Sequence, residues 1–574
     1  MVLSALDYAI LLGFFTISII IGIVVAKQSG KNTESFFLSG RNMPWWLLGI
    51  SMVATTFAAD TPNFVAGVIR EDGVYGNWIW WSFLLTGMVT VFFYAKLWRK
   101  SGITTDLEFY ELRYSGKSAA FLRGFRAVYL GVFFNIVIMA NVCLAAIKIG
   151  HVMFGFSEFQ SLFIACGVTV FYSMLGGLRG VLITDFFQFI IAMGGSIWAA
   201  VYIVNHEKVG GLDTMLSAPQ LQDKLSMFPD FNNWEVVVPL LIIPLAVQWW
   251  SVWYPGAEPG GGGYIAQRML AAKNEKHATW ATLFFNFAHY GLRPWPWIII
   301  GLASLVVYPD LSSLQAAFPD FSPEYVKNDL SYPAMLRLLP AGLLGLVVTS
   351  LVAAFMSTIS THLNWGSSYV VNDFYARFVN KDASEKKKVL VGRLSTFFMI
   401  ICAAFLALVL EEARDAFNLM LQIGAGTGLL FILRWFWRRI NPYSEITAMA
   451  VSFIIAVFFF LNDKMENPLI ILETHWQLVA GVMVTTTSWI AVTLLTKPSK
   501  LSTIEAFEAL VFEKEGKFKN FRYKFLALIM GITGVYCFLF ATGFFIYGNT
   551  AVALTLSGIT CAAVFILIRT WKKI

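Results

Sequence analysis

The chain has 574 residues, of which 57% are hydrophobic and only 13% charged, with a formal net charge of +7. An ordinary soluble domain carries about 25% charged residues, so the composition excludes a soluble globular protein and points to a chain immersed in lipid. The basic excess is then a topology signal, and no nucleic-acid partner is expected.

Apolar runs long enough to span a bilayer, roughly 17 to 25 residues or more, fall at about 4–26, 44–69, 76–98, 120–150, 158–176, 181–205, 235–254, 264–307, 340–375, 389–411, 415–435, 444–462, 475–496, 523–547 and 550–571. The expected fold is an all-α membrane protein of about 15 transmembrane helices. The first 26 residues carry neither a basic leader nor a small-residue cleavage site, so they read as a retained helix. Cys143, Cys166, Cys402, Cys537 and Cys561 lie inside apolar runs without metal-ligand spacing and read as small buried hydrophobes.

Basic residues alternate from side to side along this list. Lys27 and Arg41 follow the first span, Lys96 to Arg126 the third, Arg377 to Arg393 with the run Lys386-Lys387-Lys388 the ninth, and Arg569, Lys572 and Lys573 the last. Positive residues stay on the cytoplasmic side. The expectation is a multi-pass protein of the plasma (cytoplasmic) membrane with its N-terminus outside and its C-terminus inside. Connections 206–234 and 308–339 are long enough for short surface helices, and 497–522, with Glu505, Glu508, Glu513 and Glu515, reads as an amphipathic segment on the cytoplasmic face.

Two spans are interrupted. One breaks at Ala58-Ala-Asp-Thr-Pro-Asn63 and the other at Tyr254-Pro-Gly-Ala-Glu-Pro-Gly-Gly-Gly-Gly-Tyr264, five helices later. Two units of five helices enter the membrane in opposite senses, and broken helices frame the midplane site of inverted-repeat transporters. The implied division is 1–43 (an extra helix and loop), 44–205 (first repeat), 206–440 (second repeat) and 441–574 (additional helices, with the segment near 497–522). An ionisable residue inside an apolar helix is functional by default, which singles out Asp60 on the first break. Glu258 sits in the second. Ser357 and Thr358 are adjacent hydroxyls in the run 340–375. They either bond back to their own helix or offer oxygen to a small hard cation.

Four stretches resemble the sodium:solute symporter family, which includes sodium–glucose, sodium–proline and sodium–sialic acid transporters. They are Glu34 to Arg41, Gly176 to Gln188, Tyr264 to Asn274, and Ala354 to Tyr375, in family order. The resemblance implies a leucine-transporter-like fold with a five-plus-five inverted-repeat core. It implies a sodium-coupled symporter importing a small polar organic solute, a sugar first and an amino acid or carboxylate as the alternative. Sodium is the implied co-transported ion, with no organic cofactor. By motif, sodium would be held by Ser357, Thr358 and the carbonyls of Ala54, Phe57 and Ala354, and Asp185 would lie on its exit path. Asp185 could equally pair with Arg179 or a neighbouring arginine. For the solute the matches are Asp60, Thr61, Asn77, Glu258, Tyr264 and Gln422.

Departures from the family are also visible. The stretch Pro255 to Gly263 replaces a compact polar one, and the lysine that sugar-transporting members carry on the seventh core helix falls at Tyr290–Gly291, so it is expected to be missing. Trp249, Trp250, Trp253 and Tyr254, with Trp78, Trp80 and Trp81, put aromatics beside both breaks; they read as an interface belt ahead of the alternative, flat faces packed on a sugar. His289 and His362 either face the cavity or, the reading preferred, pack helices together. A membrane sensor would need a signalling domain and an enzyme a catalytic cluster; the sequence displays neither. The partners expected are the solute, sodium and the bilayer; oligomeric state is open.

Overall fold

The computed structural model describes residues 3–29, 33–252, 258–410, 413–463, 465–512 and 516–574. In chain order the helices that matter are α1 (Ala5–Ser29), α2 (Trp45–Thr56), α3 (Asp60–Asp72), α4 (Val74–Ser101), α5 (Lys117–Phe154) and α6 (Glu158–Val204). They are followed by α7 (Trp234–Trp250), α8 (Gly263–Ala271), α9 (Glu275–Val307), α10 (Leu343–Val379), α11 (Glu385–Ala407), α12 (Ala413–Gly424) and α13 (Gly428–Leu433). The chain ends with α14 (Pro442–Asp463), α15 (Thr474–Leu495), α16 (Leu501–Val511), α17 (Phe521–Ile546) and α18 (Thr550–Trp571).

Among the described residues eleven helical stretches are long and apolar enough to cross a membrane. The other four stretches expected to span are shorter or broken. Stretch 44–69 divides into α2 and α3, 415–435 into α12 and α13, and 235–254 is α7. Stretches 158–176 and 181–205 run together as α6, which is interrupted at Gly177. There φ is +52°, a conformation only glycine adopts cheaply, so one residue turns a 47-residue helix into two segments.

Helix α10 forms the centre. Nearly every residue from Leu343 to Ser368 is buried, and α10 packs on α6, α5, α11 and α1. A helix that is apolar on all sides belongs inside a bundle or in lipid, and α10 is inside. By contrast α18, packed mainly on α17, leaves Leu554, Phe565 and Ile568 exposed, as a lipid-facing helix does.

The extra helix α1 is fixed to α10 by Asp7. Its Oδ1 accepts from the backbone N–H of Gly342 and Gly345, both at 2.7 Å, which satisfies donors at the start of α10. Gly345 is required there, because a Cβ would stand 2.5 Å from the Asp7 Cα.

The connection 308–339 holds short helices Leu311–Ala317 and Ser331–Leu336 and folds back onto the bundle. Lys148 of α5 donates to both oxygens of Asp329 at 2.7 Å, and Arg70 of α3 donates to the Tyr308 carbonyl at 2.7 Å. Within 497–522 the expected helix is α16, tied to the end of α13 by two bonds from Arg438 to Glu508 (2.8 and 2.6 Å). Glu513 and Glu515 lie outside the described residues. Hydrogen bonding from Arg438, helped by Lys517 and opposed by partial burial, holds the Glu508 carboxyl down at about 2.

Candidate functional site

The site is built around the gap between α2 and α3. Helix α2 ends at Thr56, and Phe57 leaves the helical region at φ −93° and ψ 74°. Helix α3 restarts at Asp60 with Pro62 in its first turn, where the missing N–H costs nothing. Phe57 is held out of line by stacking on Trp297, with ring centroids 5.1 Å apart and an interplanar angle of 7°. A helix that stops leaves its last carbonyls in need of partners. The Phe57 N–H reaches the carbonyls of Val53 (2.9 Å) and Ala54 (3.2 Å), while that of Thr55 accepts from another helix.

That other helix is α10. Its serines at 350, 360, 367 and 368 all bond back to carbonyls three residues earlier, at 2.6 to 3.0 Å. Ser357 and Thr358 do not. The Thr358 hydroxyl donates across to the Thr55 carbonyl at 3.0 Å, and the Ser357 hydroxyl donates to Asp185 Oδ1 of α6 at 2.5 Å. Ala54, Phe57, Ala354, Ser357 and Thr358 are all buried in this wall.

Asp185 is buried completely, and its basic neighbour is Arg268 of α8, at 4.0 Å; Arg179 does not take that place. The second oxygen of Asp185 accepts from Ser51 at 2.5 Å. Arg268 donates in turn to Ser51 (3.2 Å), Thr55 (3.3 Å), Thr361 (2.9 Å) and the side-chain carbonyl of Gln267 (3.0 Å). Every polar atom of this pair has a partner, the condition under which a buried ion pair is tolerable.

Directly beside the Thr55–Thr358 contact is a cavity of about 130 Å³. Asp60, Thr61 and Tyr264 line it, and so do Asn141 of α5 and Arg293 of α9. Asp60 Oδ2 accepts from Asn141 at 2.8 Å, whereas Asp60 Oδ1 and the Asn141 carbonyl oxygen have no partner. The carboxylate sits at the start of α3, where the helix dipole favours negative charge.

Three residues expected at the solute site do not line this cavity. Asn77 bonds within its own turn, donating to the Val74 carbonyl (3.0 Å) and accepting from Trp80 (2.8 Å). Glu258 is paired with Arg126 at 2.5 Å, next to a smaller space that Thr56 and Tyr264 also line. Gln422 donates to Gln477 at 2.9 Å.

Of the two readings open for His289 and His362, the cavity-facing one holds: both line the cavity, together with Trp80. Among the tryptophans expected in an interface belt, Trp78 and Trp81 are buried; Trp253 and Tyr254 lie outside the described residues. Less than a turn beyond Tyr290–Gly291, where the family's lysine is expected to be missing, Arg293 lines the cavity. Ser51, Thr55, Thr361, Asn141, Arg268 and Arg293 were not singled out by the sequence. A basic residue inside the run 264–307 was the available signal for both arginines.

With this geometry in place, the comparisons are specific. The family model described as Sodium:solute symporter family matches residues 36–452. The chain is 24% identical over 544 residues to sodium/glucose cotransporter 1 of Oryctolagus cuniculus, covering 86% of this chain and 80% of that one. It is 26% identical over 473 residues to the sodium/glucose cotransporter of Vibrio parahaemolyticus (79% and 85% covered). It is also 26% identical over 551 residues to the sodium/myo-inositol cotransporter of Bos taurus (87% and 74%). A Na+-coupled sialic acid symporter solved in a substrate-bound outward-open state shares the fold, with a TM-score of 0.68 at 22% identity, covering 87% of this chain and 99% of that one. The chain is a multi-pass membrane protein of the sodium:solute symporter family, a sodium-coupled solute transporter and not an enzyme.

Proposed function

We propose that this protein imports a small sugar-like solute into the cytoplasm, driven by sodium entering with it. The observation that carries the reading is the behaviour of Ser357 and Thr358. Unlike the α10 serines at 350, 360, 367 and 368, they turn away from their own helix, toward the broken helix and Asp185, as Thr361 turns toward Thr55 and Arg268. A hard monovalent cation takes several neutral oxygens and is bound reversibly by them. Sodium is held by the two hydroxyls with the carbonyls of Ala54, Phe57 and Ala354, displacing the Thr358–Thr55 hydrogen bond. Asp185, already on Ser357, receives the ion as it leaves.

The solute occupies the neighbouring cavity, with Asp60, Thr61 and Tyr264 around it. Thr55 and Thr358 belong to both compartments, so an ion that orders this wall also shapes the solute site. Two five-helix repeats of opposite sense, 44–205 and 206–440, then rock about the site to expose it inside. A sugar is favoured because the curated relatives above carry glucose and myo-inositol in their names.

Proteoliposomes test this. An inward sodium gradient should drive accumulation of a labelled solute that a potassium gradient does not. Intact protein that accumulates no member of a panel of sugars, polyols, sugar acids, amino acids and carboxylates would refute the symporter reading.

A further inference from the structure

The cavity wall contains a guanidinium whose bonding is incomplete. Arg293 follows the wide helical turn Ala288–Leu292 of α9, precedes Pro294, and is 1% exposed. One terminal nitrogen donates to the Val53 carbonyl at a long 3.4 Å, and the other lies 3.2 Å from His289 Nε2. Its Nε has no partner.

The state of His289 follows from this arrangement. Arginine only donates, so His289 Nε2 accepts, and Nδ1 carries the proton that it offers to the Thr56 hydroxyl at 3.0 Å. A histidine bonded in this way is neutral. Both hydrogen-bond partners of Arg293 are therefore uncharged, and its face lies over Trp297 with the guanidinium carbon 5.2 Å from the ring. No ion pair within 4.0 Å among the described residues includes Arg293. A buried cation without a bonded counter-ion is costly. That cost is removed when a ligand brings an anion to the planar fork, which suits a carboxylate above all.

The remaining open atoms point to the rest of the ligand. Asp60 Oδ1 and the Asn141 carbonyl oxygen both need donors, and hydroxyl groups supply them. The volume, about 130 Å³, is well below the roughly 300–1,000 Å³ of drug-sized sites, so the ligand is a single small ring or short chain.

We propose that Arg293 determines specificity by taking the carboxylate of a small polyhydroxylated acid, so that the co-transported solute is a sugar acid and not a neutral sugar. This rests on the symport reading above and narrows its substrate class.

The test uses full-length protein in proteoliposomes under an inward sodium gradient. D-glucuronate, D-galacturonate and D-gluconate are compared with D-glucose, D-galactose, myo-inositol and L-proline. The wild type should take up at least one of the acids, with its neutral counterpart competing about tenfold or more weakly. Arg293→Gln should bring that ratio close to one while the sodium concentration for half-maximal thermal stabilisation stays put, and Arg293→Lys should keep part of the preference.

Sodium-driven uptake of a neutral sugar or of proline in preference to every acid overturns the sugar-acid assignment and leaves symport standing. An acid preference undiminished in Arg293→Gln overturns the role of this residue. No sodium-driven uptake of any of the seven overturns the sugar-acid assignment, and the broader panel above then decides symport. Should Arg293→Gln fail to fold, the wild-type ratio and Arg293→Lys decide.

Discussion

Two polar clusters lie side by side in the bundle, and they differ in one respect. Around Asp185 and Arg268 every charged atom is bonded: Asp185 accepts from Ser51 and Ser357, and Arg268 donates to Ser51, Thr55, Thr361 and Gln267. In the adjoining cavity Asp60 Oδ1, the Asn141 carbonyl oxygen and Arg293 Nε are left over. Buried polar groups are almost always satisfied, so the closed cluster is a resting arrangement complete without a ligand, and the open one is completed by a ligand. Thr55 and Thr358 join the two, which places the coupling between ion and solute on the contacts that Thr55 makes with Thr358 and Thr361, between the broken helix and α10.

Substitutions that separate the clusters should have graded effects. Asp185→Asn is the largest, because it leaves Arg268 buried without its counter-ion, a change of about 3–5 kcal/mol. Folded protein recovered from membranes should fall sharply, and Asp185→Asn combined with Arg268→Gln should restore part of it. Recovery of the single variant at wild-type level would contradict the account of the closed cluster.

Next come Ser357→Ala and Thr358→Ala, each removing one oxygen from the ion wall. Losing one such contact is worth about 1–3 kcal/mol, so the sodium concentration for half-maximal transport should rise roughly ten- to a hundredfold, with expression near normal. Asp60→Asn acts in the open cluster. It should raise the solute concentration for half-maximal uptake by about tenfold, and the sodium titration at saturating solute should barely move. Equal effects on both titrations would merge the two clusters into one functional unit.

The smallest effect is expected far from both, at Glu508→Gln. Since the carboxyl is held at about 2 in the folded protein and its ordinary value is 4.5, its contribution is complete above about 4.5. It is lost as pH falls toward 2. The variant should transport normally and melt slightly lower than the wild type at neutral pH, and the gap should narrow as pH drops through that window.

Much of the framework was legible in the sequence because a bilayer makes hydrophobic length and broken helices conspicuous. The gap after Phe57 was readable from Asp60 and Pro62, which do not continue an apolar helix. Ser357 and Thr358 were visible as a pair, but not their partners, since a hydroxyl's choice between its own helix and a neighbour depends on which helix packs there. The same limit applies to Asp185, whose arginine proved to be 83 positions away in sequence and next to it in space. Asn77 and Gln422 carry polar side chains in the expected helices, yet Asn77 bonds within its own turn and Gln422 bonds to Gln477 of α15. Arg293 stood in plain view in an apolar run, and only the fold shows that it faces the cavity.

The central claim is that sodium binds where α10 meets the broken helix. Equilibrium binding of radiolabelled sodium to purified protein, without solute, tests it most directly. The account predicts saturable binding in the wild type, weakened at least about tenfold in both Ser357→Ala and Thr358→Ala and unchanged in Asp60→Asn. Sodium binding of wild-type strength in both hydroxyl variants would contradict it.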